Sequence, residues 1–163
     1  MTNQDLYFQN AELSLASYAT LDFGPTNTEE NIAEFIRVGM SLSQATQFAA
    51  RYPTVVASFN DRTSGGGSGF QVTVFKDTAD NLTVAFRGTQ IGEDLLPTGA
   101  YIGLAGAAYD QIVAMANWWA RASVSSGQVQ QFRLANYAVD AVPAGAVVLS
   151  SDGVQSFVLE SAP

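Results

Sequence analysis

The run Asn81-Leu82-Thr83-Val84-Ala85-Phe86-Arg87-Gly88-Thr89 carries the strongest chemical signal in the chain. Leu82, Val84 and Phe86 supply β-propensity with Thr83 and Ala85 between them. The segment therefore predicts a strand covered on both faces, as in the centre of an α/β sheet. Arg87-Gly88-Thr89 then leaves the sheet, and a strand that stops this abruptly delivers a backbone N–H to a cleft. The groups that would react beside such a donor are missing. Acyl transfer by a triad needs a nucleophile, a base that is usually His, and an orienting acid, yet the sequence has no histidine. It also has no Gly-x-Ser-x-Gly elbow, the strand-to-helix turn that presents a nucleophilic serine. Gly65-Gly66-Gly67-Ser68-Gly69 sets a serine between glycines, but no apolar strand leads directly into it and no helix pattern follows, so it predicts a flexible loop.

Composition narrows the remaining classes. A chain of 163 residues that is 47% hydrophobic suits one globular domain with a real core. Without cysteine or histidine there is neither a disulfide framework nor the usual ligand set for zinc or non-haem iron, and no cofactor is expected. The net charge of −8, with Lys76 the one lysine, argues against nucleic acid and against docking on anionic membranes. No run of apolar residues is long enough for an integral membrane segment, and no cleaved export signal is visible.

The elements that must position the 81–89 run follow from periodicity. Residues 1–52 read as helical. Leu6, Ala11, Leu13, Leu15, Tyr18 and Ala19 fit a first amphipathic helix, and Gly24-Pro25 lies in the stop after it. Ile32, Phe35 and Ile36 mark a second helix ended by Gly39, and Ser41-x-x-Gln44 matches a capping box opening a third that runs to about Tyr52. The bland reading of all three is a packed helical layer. Residues 53–89 read as a three-stranded β-meander: Val55 to Phe59, the alternating Phe70 to Phe75, then the Leu82 strand after a turn at Lys76–Asp80. Residues 90–104, with Gly92, Pro97, Gly99 and Gly103, read as a loop. Residues 105–122 read as a strong helix with Ala108, Ile112, Met115, Trp118 and Trp119 near one face. Trp118 and Trp119 point about 100° apart, which makes one core and leaves the other half exposed. Within 123–163, Val129 to Tyr137 is ambiguous between helix and strand, while Asp152-Gly153 between two apolar runs signals a β-hairpin.

Phe86-Arg87-Gly88-Thr89 resembles the strand-and-turn signature of class 3 lipases, which are α/β-hydrolases. The order of parts over about residues 10–122 is similar too. Ala11 to Ala19 looks like the family's opening helix with its alanine-rich stretch near a Tyr, Glu93-Asp94-Leu95-Leu96 resembles its downstream acidic segment, and residues 102–110 look like those of bacterial secreted members bearing calcium repeats. The resemblance implies a partial α/β-hydrolase-like fold in which residues 123–163 are an inserted β-hairpin. It implies that Thr89 lends its backbone N–H to an oxyanion hole, and that the serine, acid and histidine lie beyond Pro163. The whole protein would then be a lipase or carboxylesterase acting on a lipid or ester substrate. Its partner would be the remainder of the hydrolase domain or a dimer mate, and the family suggests a secreted bacterial protein, though the composition suits a cytoplasmic one equally. Arg87 reads as a loop anchor through a carboxylate such as Asp94, and Asp94 itself is out of place for the catalytic acid. Two further readings stay open: a catalytically dead, lipase-derived binding or interaction module, and an ordinary structural α+β domain.

Overall fold

The computed structural model describes residues 2–61, 68–88, 108–123 and 131–162, as mixed helix and sheet in two compact units. The first unit comprises Met1–Asn60 and Gln71–Gly88. It carries helices α1 (Asn3–Ala16), α2 (Glu29–Arg37) and α3 (Leu42–Arg51), and strands β1 (Gly24–Pro25), β2 (Thr54–Asn60), β3 (Gln71–Lys76) and β4 (Leu82–Phe86). The strands form one antiparallel sheet in the order β1-β2-β3-β4.

Each helix begins where a side chain can take up a free backbone N–H. Thr2 with Asp5, and Ser41 with Gln44, form reciprocal capping boxes, and Thr28 accepts from the Asn31 N–H. Gly39, at φ +112, ends the second helix in the left-handed region that glycine adopts without strain. The helices bury Phe35, Ala45 and Phe48 against Val55, Phe75 and Ala85 of the sheet. Phe48 is the hub of this core, its ring centroid 5.0 Å from Phe35, 5.0 Å from Tyr52 and 5.3 Å from Phe75. Among these residues Glu12 is only 2% exposed, and its Oε2 is held by Arg51 Nη1 at 2.5 Å.

Three expectations for the sheet need correction. The meander has a fourth strand, because Gly24 and Pro25 pair with Val55 and Thr54. The alternation of Phe70 to Phe75 does not expose a polar face, since every residue from Gln71 to Phe75 is buried. The Leu82 strand is not central. The tight turn in which Asp77 accepts from the Ala79 and Asn81 N–H groups, with Asp80 at φ +64, folds β4 back antiparallel on β3. It therefore lies at the end of the sheet among the described residues, with Leu82 62% and Phe86 45% exposed.

The second unit comprises Asp61–Phe70 and Thr89–Pro163. Helix α4 (Tyr109–Ala122) is followed by strands β5 (Phe132–Ala138), β6 (Val147–Ser151) and β7 (Gln155–Ser161) in an antiparallel sheet of order β5-β7-β6. The Asp152-Gly153 hairpin is as expected, with Ser151 opposite Ser156 and Gly153 at φ +90. The expected hairpin is, however, part of a three-stranded sheet, because the ambiguous 129–137 segment supplies β5. Tyr109 stacks on Phe157 with centroids 4.9 Å apart, and its hydroxyl bonds that of Ser150. Trp118 is buried and Trp119 exposed, as the helical spacing requires, but Met115, placed near the apolar face from sequence, is exposed. Residues 105–107 of the expected helix and all of the 90–104 loop lie outside the described residues, as do 62–67 of the glycine-rich loop.

Candidate functional site

The end of β4 is built from two directions. Along the sheet, the ladder continues one residue beyond Phe86, because the Arg87 N–H donates to the Gln71 carbonyl at 3.0 Å. The departure expected at Arg87 thus begins only at Gly88. Arg87 itself is 7% exposed, an unusual burial for a guanidinium that marks this strand end as structured on its side-chain face. From the helical layer comes the turn after α1. Its backbone is tied down three times: Arg37 Nη2 donates to the Tyr18 carbonyl, Gln71 Nε2 to the Ala19 carbonyl, and the Thr20 N–H to Glu34 Oε2. Arg37 and Glu34 are themselves paired at 2.8 Å, and the Arg37 hydrogen bond is the main reason the Glu34 carboxyl titrates below its ordinary range.

This clamp sets the Tyr18 hydroxyl over Gly88. A Cβ at Gly88 would stand 3.0 Å from the Tyr18 oxygen, so any larger residue there would have to push the hydroxyl aside by a few tenths of an ångström. Gln71 and Thr73, on the sheet face that carries Phe75, are also fully buried, and no hydrogen bond is recorded for the Thr73 hydroxyl among the described residues. Sequence reasoning found the Arg87-Gly88 end of this arrangement but missed Tyr18 as its roof. The clamp depends on side chains up to 52 positions apart, for which no local pattern exists.

Thr89 lies outside the described residues, as does Asp94, so neither the oxyanion role of the first nor the pairing of the second with Arg87 meets any geometry here. Among the described residues no three acidic, His or Cys side chains come together to hold a metal ion, and no helix is long and apolar enough to cross a membrane.

A cavity of about 440 Å³ lies within the second unit, lined by Asp61, Ser68, residues of α4 and residues of β5. Asp61 Oδ2 accepts from both the N–H and the hydroxyl of Ser68. Asn117 fixes α4 to β5, donating to the Phe132 carbonyl at 3.0 Å and accepting from its N–H at 2.7 Å. Burial raises the Asp110 carboxyl above its ordinary range. Compared with models of protein families, with curated protein sequences and with solved structures, the chain matches none.

Proposed function

We propose that the chain is the N-terminal part of a lipase or carboxylesterase domain and supplies its oxyanion turn. In this reading the Thr89 backbone N–H stabilises the negative charge that develops on the substrate carbonyl oxygen. The serine, acid and histidine come from outside residues 1–163. The observation that supports it is the close approach of the Tyr18 hydroxyl to Gly88, 3.0 Å from where a Cβ would stand, which favours a glycine at the third position of Phe86-Arg87-Gly88-Thr89. A preorganised donor contributes about 3–4 kcal/mol to an acyl-transfer barrier, but only when a nucleophile attacks beside it. Residues 1–163 alone are therefore inert toward p-nitrophenyl esters, and turnover by the purified chain would refute the assignment. The decisive test is the coding sequence after Pro163: a Gly-x-Ser-x-Gly run with a later histidine is the expected result.

A stop codon at that point would favour the second reading, a catalytically dead interaction module. Its support is the exposure of Leu82 and Phe86, which alternation places on one face of β4.

A further inference from the structure

Asp110, Val113, Ala114 and Asn117 follow one another at intervals of three and four along α4, so they form a single stripe on the helix. Phe132 and Leu134, two apart on β5, share one face of the strand. The result is a pocket with an apolar floor of Val113, Ala114, Phe132 and Leu134 and a polar rim of Asp61, Ser68, Asp110, Asn117 and Arg133.

Most of the rim is already committed. Asp61 holds Ser68, Asn117 holds the β5 backbone, and Arg133 is bonded through Nε and Nη2 to Glu160. Asp110 is the exception: its carboxylate, half-buried in the pocket, has no hydrogen bond or ion pair among the described residues, and this partial burial raises it above its ordinary range. A carboxylate partly drawn from water without a partner is less well solvated, and a cation placed against it offsets part of that loss. With Arg133 neutralised by Glu160, the rim is negative, which disfavours an anion. Two carboxylates and an apolar floor are too few hard donors for a bare divalent ion. The volume lies within the roughly 300–1,000 Å³ of small-ligand pockets.

We propose that this pocket binds a small organic cation, a primary amine with a compact apolar body. Its ammonium group sits at Asp110 and its body lies on Val113, Ala114, Phe132 and Leu134. The site is independent of any esterase role and needs no group outside the chain.

Benzylammonium is the probe and benzyl alcohol its uncharged counterpart, titrated into the 163-residue chain while backbone amide resonances are followed. The amine is expected to shift the amides of residues 110–117 and 132–134, and to bind at least about tenfold more tightly than the alcohol, a difference that reads the charge. Asp110→Asn, with its amide spectrum otherwise unchanged, is expected to bring the amine down to the level of the alcohol. Ala114→Leu, which keeps the carboxylate and fills the floor, is expected to abolish binding of both. Equal affinity for amine and alcohol, shifts elsewhere in the chain, or Ala114→Leu binding like the parent would each overturn the proposal. Should Asp110→Asn fail to fold, the amine-to-alcohol ratio and Ala114→Leu decide it alone.

Discussion

The two units hold themselves together by different means. In the first, three capped helices lay Phe35, Phe48 and Tyr52 onto Phe75 and Val55, and the aromatic rings touch one another in a closed group. In the second, the buried apolar residues among those described are Phe70, Tyr109, Trp118 and Val158, and the sheet face that carries Val158 also carries a polar ladder. There Glu160 takes Arg133 on one oxygen and the Tyr137 hydroxyl on the other, at 2.7 Å. Apolar burial contributes roughly 25 cal/mol per Å², whereas exposed ion pairs contribute about 0–1 kcal/mol each. Among the described residues, the first unit therefore draws more on apolar burial and the second more on polar pairs. The pocket beside α4 lies in the second unit, among these polar pairs, whereas the Arg87-Gly88 strand end belongs to the first.

The comparison breaks most readily at its strongest point. Phe48→Ala removes the hub of the aromatic group and should destabilise the chain by about 3–5 kcal/mol in urea unfolding. Val158→Ala, in the second unit, should cost less, about 2 kcal/mol for two methyl-sized groups and the small cavity left behind. If the two substitutions cost the same, the distinction between the units is wrong.

A smaller effect sharpens the account of the helical layer. Ser41→Ala removes one half of the capping box at the start of α3 and should lower stability by about 1 kcal/mol. Amide exchange should locate the loss in the first turn of that helix.

The smallest effects are those of pH, and they run in opposite directions. Glu34 is held below its ordinary value of 4.5, first by the Arg37 hydrogen bond. Its stabilisation is therefore present above that value and lost as pH falls through the lower folded one. Asp110 is raised above 3.8 by burial, in a pocket that also holds Asp61 and Arg133. Its contribution is present below 3.8 and lost as pH rises through the raised folded value. Unfolding midpoints measured across this range should thus flatten on the acid side for Glu34→Gln. Asp110→Asn should be neutral or stabilising at pH 7, where it removes an unpaired carboxylate.

How far the sequence foretold all this varied with the range of the interaction. The Ser41-x-x-Gln44 box, the Gly39 stop and the Asp152-Gly153 hairpin were legible because each is settled within a few residues. Strand β1 was not, since Gly24 and Pro25 have low strand propensity and pair only because Val55 and Thr54 are brought beside them. The 129–137 segment was ambiguous because its strand is decided at a distance, by Glu160 opposite Arg133 and by Asn117 gripping Phe132. The exposure of Leu82 could not be read from an apolar run, which looks the same in a central strand as at the end of a sheet. Of the candidate site, Arg87 and Gly88 were visible as a motif, whereas the Tyr18 roof and the Asp110 pocket depend on contacts that no spacing rule encodes.

One irregularity in the second sheet bears on how the chain behaves at high concentration. Between Val148, which faces Val158, and Ser150, which faces Phe157, Leu149 is an extra residue on β6. This strand ends the described sheet, and Val147 and Val148 on it are 57% and 50% exposed, a composition that invites another chain to add itself laterally. An incoming strand that began pairing at the two valines would lose register at Leu149, where the extra residue bends the backbone and interrupts its row of donors and acceptors. The bulge thus acts as a terminator for fibre growth: it lets an apolar strand stand at the end of a sheet without becoming a template for the next molecule.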